Sequence, residues 1–347
     1  MKITNITPAE SGLSASDAQE VFDHVQQFAS YGFNKSHAAA YAAISFQTAA
    51  LKTHHPEAFY AASMNMAIGD STSLATFSGE LKSRKIMLER PSVNRSNARF
   101  TPENKNQNIS VLYGLAAIRG VGMKAGLAIQ NERENNGAYR DLNDLRVRVG
   151  NILNKKALKS LIGAGALDDI IFSRRDALEK MNDSTIGQVS QMSFFEEALE
   201  DTRPELEEFE IETLAEMEFE SYGFWHWTHP LRARVKDIKA ANLSSLRAIK
   251  KRSFLPKSAW IVAGVVDWDI RGTKSGGVMG ILTLSDSVDV YEVVAFDEAW
   301  DAIKPLCKKQ DLVAMEVDIK EDSGVLRLTA TKAVPLDKLL NKNKRAA

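Results

Sequence analysis

The feature that most constrains this chain is a Gly-x-Gly elbow that occurs twice, about one small domain apart. The first copy is Ala117-Ile118-Arg119-Gly120-Val121-Gly122-Met123-Lys124-Ala125, with Leu127, Ala128 and Ile129 beyond it. The second is Leu158-Lys159-Ser160-Leu161-Ile162-Gly163-Ala164-Gly165-Ala166-Leu167. In each, apolar sequence leads into the glycines and resumes after them. The pattern predicts two short helices joined by a tight hairpin whose glycines take positive φ. Such a hairpin turns backbone N–H groups outward at a helix start, where a phosphate is held without any base being read. One copy alone is an ordinary helix–helix turn, whereas two copies with basic side chains between them favour a phosphate grip. Gly120, Gly122, Lys124, Gly163 and Gly165 are the candidate contacts, with Lys155 and Lys156 from the segment between.

Charge supports this only locally. The 347 residues carry a net charge of -1, so any nucleic-acid binding must come from local basic surface. From Arg119 to Lys180 there are twelve Lys/Arg against eight Asp/Glu. From Glu196 to Glu220 there are twelve Asp/Glu and only Arg203. Arg140, Arg146, Arg148 and Lys159 extend the basic set, which reads either as a solvated face or as a phosphate-contacting one. Cys307 is the single cysteine, which excludes an internal disulfide framework and a thiolate zinc cluster and makes a cytosolic location the default. No apolar run is long enough to span a bilayer, so no membrane partner is expected.

Along the chain, Ser16 reads as the N-cap of a helix with Val21, Phe22, Val25 and Phe28 on one face. A Gly32-Phe33-Asn34-Lys35-Ser36 loop then opens an alanine-rich helix reaching about Leu51, its small side chains allowing a close neighbour. Lys35, Ser36 and His37 in its first turn suit an anion; a capped, closely packed helix is the plainer reading. Helices are predicted over 57–68, 72–85, 141–149, 155–162 and 174–181, and residues 183–190 read as a linker. Gln191-Met192-Ser193-Phe194-Phe195 follows, a Phe pair that must fold back on a neighbouring domain or anchor in another protein's pocket. Apolar residues recur through the acidic run as far as Phe219, predicting a helix laid on another domain. His226 and His229, in a dense aromatic turn, read as packing residues because no third metal ligand is near. Period-two stretches at 260–266, 278–284, 288–296, 311–319 and 325–330, with one helix near 298–306, predict a small OB-type barrel whose basic loop is Arg271-Gly272-Thr273-Lys274-Ser275-Gly276-Gly277.

In this order the motifs resemble the C-terminal part of the bacterial replicative DNA polymerase III alpha subunits, the C-family DNA polymerases. The closest correspondence is Phe28-Ala29-x-Tyr31-Gly32-Phe33-Asn34-Lys35-Ser36-His37-x-Ala39-Ala40-Tyr41-Ala42, similar to that family's fingers signature. It continues through His55-Pro56-Glu57-Ala58-Phe59, both elbows, Gly223-Phe224 with His229-Pro230-Leu231, and the barrel's Gly264-Val265-Val266 and Glu292-Val293-Val294-x-Phe296. The resemblance implies a multi-domain α+β chain: part of the fingers at 1–100, a tandem helix-hairpin-helix domain at 101–182, a clamp-binding linker and acidic connector at 183–255, and an OB-fold domain at 256–347. It makes Asn34, Lys35, Ser36 and His37 candidates for holding an incoming nucleotide. It makes the elbows a grip on duplex DNA, the barrel a partner of single-stranded template and other replisome subunits, and Gln191, Met192, Ser193, Phe194 and Phe195 a ligand of the sliding clamp.

Polymerase chemistry needs carboxylates holding two metal ions about 3.5–4 Å apart, and in this family they lie on a palm before the fingers. Nothing before Tyr31 offers a paired-aspartate strand. The expectation is therefore a chain inactive alone that binds no cofactor by itself, with the catalytic palm on a separate chain or lost and Mg2+ entering only with a catalytic partner chain. A freestanding DNA- and clamp-binding accessory or competitor is the alternative; no Asp/Glu/His constellation supports a metal-dependent nuclease.

Overall fold

The computed structural model describes residues 14–31, 35–105, 108–182, 205–241, 243–250, 254–273, 276–287, 289–322 and 325–346. It divides into two units, Met1–Pro56 and Glu57–Ala347.

The first unit holds helices α1 (Ala15–Tyr31) and α2 (Lys35–His54). The cap of α1 is Ser14 rather than Ser16: its Oγ accepts from the Asp17 N–H at 3.1 Å. The α1 residues Val21, Phe22 and Val25 are about half exposed. Helix α2 has no buried residue at all, and Phe46 is 75% exposed. The closely packed helix expected from its alanines is thus absent within the unit, and the apolar Tyr41, Ile44 and Leu51 also face outward.

The second unit takes in α3 (Pro56–Met66) from Glu57 onward and α4 (Ser71–Ser83). Asp70 fixes the start of α4 by accepting from the Thr72 and Ser73 N–H groups at 3.1 Å each. Strands β1 (Met87–Glu89), β2 (Thr101–Lys105) and β3 (Asn108–Leu112) form a small sheet in which β3 pairs parallel with β1 and antiparallel with β2. A 3₁₀ turn, Leu115–Ala117, leads to the first elbow and then to α5 (Gly122–Asn136), α6 (Leu142–Val149), α7 (Lys155–Gly163) and α8 (Arg174–Asn182). One core joins them all, with Tyr60, Leu74, Leu88, Phe100 and Val111 in the same cluster as Leu145, Leu161 and Ile162. Full burial of each such aliphatic side chain contributes roughly 1.5–3 kcal/mol. The division expected at 100/101 therefore falls inside a continuous core, because α3, α4 and β1 supply its far side.

The acidic run does form a helix on a neighbour: α9 (Ile211–Tyr222) lies on α7 and buries Ala215, Met217, Phe219 and Tyr222. After α9 come two short helices, α10 (Val235–Ala240) and α11 (Leu246–Lys250). Strands β4 (Ser258–Gly272), β5 (Val278–Ser285), β6 (Val290–Phe296), β7 (Leu312–Asp322) and β8 (Val325–Pro335) then close a barrel in the order β4-β5-β6-β8-β7. A register shift between Val265 and Asp267 lets the long β4 bend and pair with both β5 and β7. Helix α12 (Asp297–Ile303) lies between β6 and β7. Five antiparallel-dominated strands closed in this order, with that one helix, are an OB-type barrel. Gly280 makes room for its central tryptophan, since a Cβ there would come 2.2 Å from the Trp300 ring. Leu246 and Ile249 belong to the barrel core, so this module starts before the expected 256. A final helix, α13 (Leu336–Ala346), buries Leu336 and Leu340 against Leu231, Val262 and Ala314. The barrel meets the helical part where Trp225 packs over Gly264, with Val266 in the shared core.

Candidate nucleic-acid interface

The two elbows fold differently. In the first, Gly120 and Gly122 both take left-handed backbone, φ 84° and 70°, as their spacing predicts. Both are exposed, and a side chain on Gly122 would meet nothing within 4 Å. Val121 between them is buried and pins the turn to the core. Helix α5 starts here with no side-chain cap, so its first-turn N–H groups are left for solvent or a ligand. Lys156 and Ser160 of α7 stand beside Gly120: a Cβ there would lie 3.7 Å from Lys156 methylenes and 3.5 Å from Ser160 Oγ. Lys124, Lys155 and Lys156 are exposed and form no ion pair among the described residues.

In the second elbow only Gly165 is left-handed, φ 75°, while Gly163 is the last residue of α7. Both are buried. The Gly165 N–H donates to Ile162 O and the Ala166 N–H to Leu161 O, each at 2.9 Å, which is a helix C-terminal clasp rather than a helix start. The carbonyls are also taken: Gly163 O accepts from Arg174 Nη1 at 3.0 Å, Ala164 O from Tyr222 Oη at 2.6 Å and Ala166 O from the Val93 N–H at 2.8 Å. A Cβ on Gly163 would come 2.7 Å from Ser221 Oγ of α9. The outward N–H groups expected of Gly163 and Gly165 are therefore spent inside the protein, because α8 and α9 cover this copy.

Among the other basic candidates, Arg148 is a tie rather than a free cation. It bonds Glu132 Oε1 at 3.0 Å, Asp144 Oδ2 at 3.2 Å and the Gly137 carbonyl at 2.9 Å, and its Cζ lies 4.3 Å from the Tyr139 ring centroid. Lys159 pairs with Glu220 at 3.6 Å and Arg140 with Asp144 at 3.8 Å. Among the described residues, Lys124, Lys155 and Lys156 thus remain as exposed, unpaired lysines around the first elbow.

Lys35, Ser36 and His37 occupy the exposed first turn of α2, with the His37 ring edge-on to Tyr41 at 4.4 Å. Asn34 lies outside the described residues. So do Gln191, Met192, Ser193, Phe194 and Phe195, and Lys274 and Ser275 of the barrel loop. The described residues contain no group of three or more His, Cys, Asp or Glu that could hold a metal, and no helix among them is long and apolar enough to cross a membrane. His226 and His229 are buried, the first with Nδ1 against Ser78 Oγ and the second accepting from the Leu231 N–H at 3.2 Å. Burial keeps both neutral, holding His229 down at about 3.

Sequence reasoning missed Glu218. It is buried beneath the aromatic turn, where its Oε1 accepts from the His226 and Trp227 N–H groups at 2.6 and 2.8 Å and its Oε2 from the Thr228 N–H at 2.8 Å. Burial pushes this carboxyl up, against the donated N–H groups and the nearby Arg90 that hold it down. Its flanking apolar residues, Met217 and Phe219, do not single it out, since Glu210 also stands between two apolar residues, Phe209 and Ile211, and is exposed.

Comparison with known proteins agrees with these elements. A family model described as a helix-hairpin-helix motif matches residues 85–177. DNA polymerase III subunit alpha of Deinococcus radiodurans is 32% identical over 95% of this chain and 26% of its own length. The Thermus aquaticus subunit is 33% identical over 91% of the chain and 27% of its own length, and that of Escherichia coli 29% over 97% and 30%. The chain therefore spans less than a third of the length of these relatives. A solved second OB-fold domain of replication protein A from Methanococcus maripaludis is 19% identical and covers 27% of this chain and 95% of its own, at a TM-score of 0.22, which adds nothing to what the strand order gives. Over nine-tenths or more of its length, the chain is homologous to a part of DNA polymerase III subunit alpha.

Proposed function

We propose that the chain grips the backbone of duplex DNA through its first elbow during replication, as the DNA-binding portion of a polymerase whose chemistry resides elsewhere. The observation that carries this reading is the first elbow itself: two open, left-handed glycines at an uncapped helix start, with unpaired Lys124, Lys155 and Lys156 around it. Such a surface holds phosphates and reads no base. The buried second elbow serves by fixing α7, and so the position of Lys155 and Lys156.

In this reading the Gln191-Met192-Ser193-Phe194-Phe195 peptide anchors the chain on a sliding clamp, Lys35, Ser36 and His37 with Asn34 lie toward an incoming nucleotide, and the barrel follows single-stranded template. Metal-dependent transfer belongs to a catalytic chain that carries its own carboxylates and Mg2+. Mixing the chain with the palm-bearing part of a polymerase III alpha subunit tests this: restored primer extension supports it, and inhibition identifies a freestanding competitor instead. Clamp capture that survives Phe194→Ala with Phe195→Ala removes the anchor peptide.

A further inference from the structure

A second basic site lies away from the elbow. Between α4, β1 and the aromatic turn, a cleft of about 700 Å³ is lined by Lys82, Lys85, Arg90 and Arg232, with Met87 and Trp227 on its apolar wall. Lys82 Nζ donates to two carbonyls, His226 O at 2.6 Å and Ser287 O at 3.5 Å, and Arg232 Nη1 donates to Trp227 O at 2.9 Å. Lys82, Lys85 and Arg232 have no carboxylate in ion-pair range among the described residues, and Arg90 has only Asp168 at 3.5 Å. Of the three acids at the rim, two also hold an arginine from outside this set of four. Asp168 binds Arg174 at 2.8 Å, Glu89 binds Arg95, and Asp169 accepts from Ser92 Oγ at 2.7 Å. Glu218 below is saturated by three backbone N–H groups.

Among the described residues Lys82, Lys85 and Arg232 have no ion-pair partner, so an anion entering the cleft would gain from them, while Glu218, Asp286 and Asp289 offset part of the Lys82 charge. Arg90 is held in place: its Cζ lies over the Trp227 ring at 5.5 Å, and its Nη2 is 3.4 Å from Thr228 Oγ1. Lys85 at the rim takes left-handed backbone, φ 61°, as does Ser287, φ 77°, which receives the Lys82 bond from outside the lining. Non-glycine residues in that region cluster where function requires a fixed shape. The volume exceeds what a lone phosphate fills and lies within the roughly 300–1,000 Å³ of small-ligand sites.

We propose that this cleft binds a nucleotide, its phosphate among Lys82, Lys85, Arg90 and Arg232 and its base along the Met87 and Trp227 wall. The nucleotide is either free or part of a single strand threaded past the turn. The site is independent of duplex binding, since Gly120, Gly122, Lys124, Lys155 and Lys156 do not line it.

Calorimetric titration of the full chain with thymidine monophosphate, pentathymidylate and inorganic phosphate tests this. Lys85 and Arg232 are exposed, so Lys85→Gln with Arg232→Gln removes charge without disturbing the core, and an unchanged melting temperature checks the fold. Should that pair lower the melting temperature, Arg232→Gln alone is read in its place. The expected result is binding of a nucleotide probe that weakens about tenfold or more in the variant, while duplex binding is unchanged. Tighter binding of the monophosphate identifies a free nucleotide, and of the oligomer a strand. The proposal is overturned if neither nucleotide probe binds, if the variant binds as wild type, or if inorganic phosphate binds as tightly as the monophosphate.

Discussion

Arg174 lies where a side chain on Gly165 would have to go: a Cβ at that glycine would stand 2.2 Å from Arg174 Nη2. The guanidinium is fixed there by two bonds to Asp168, 3.0 Å from Nε and 2.8 Å from Nη2, and by the Gly163 carbonyl. Burial lowers the charge's tolerance of this place, and the Asp168 carboxylate more than offsets it, so the Arg174 pKa is raised.

The two elbows should therefore respond differently to substitution. Gly165→Ala must strain a left-handed residue and displace the buried Arg174 guanidinium from its pair with Asp168, and we expect a loss of roughly 2–4 kcal/mol in denaturant unfolding. Gly122→Asn, at an open position and with a residue that tolerates left-handed backbone, should cost under about 1 kcal/mol. Equal losses at both sites would show that the elbows are structurally equivalent after all.

Glu218 organises the aromatic turn by receiving three consecutive N–H groups, those of His226, Trp227 and Thr228. Glu218→Ala leaves those buried donors without acceptors and should destabilise the second unit by about 3 kcal/mol or more. Glu218→Gln keeps one amide oxygen as acceptor and should lose less. A Glu218→Ala melting curve within a degree of wild type would contradict this role.

His229 supplies a pH signature. Its folded pKa is about 3 against an ordinary 6.5, so between those values the unfolded chain binds the extra proton. Stability should be retained above about pH 6.5 and fall as pH drops toward 3. His229→Asn keeps a side-chain acceptor for the Leu231 N–H and removes the titration, so its unfolding free energy should vary less over this window. An unaltered pH profile in the variant would remove His229 from the acid response.

The sequence made the modules legible because their signals are local. Period-two runs mark the five barrel strands, and Gly120 and Gly122 carry their turn within a few residues. The unequal fate of the elbows was not legible, since it depends on Arg174 and Ser221 reaching back to Gly165 and Gly163 from later helices. Arg148 read as one more surface cation because Glu132 becomes its neighbour only when α5 and α6 pack together, adding to the Asp144 pair four residues back on its own helix. Glu218 was hidden for a similar reason: within a run of twelve acids, composition does not distinguish the one that turns inward.

The most direct test of the phosphate grip is the salt dependence of duplex binding by the full chain and by Lys155→Gln with Lys156→Gln. Each phosphate contact contributes about 0.9 to the slope of log affinity against log salt on B-form DNA. We expect wild-type binding to be indifferent to sequence, and the slope of the double variant to be shallower by up to about 1.8, two contacts at that increment. An unchanged slope, or affinity that follows base sequence, would contradict the grip.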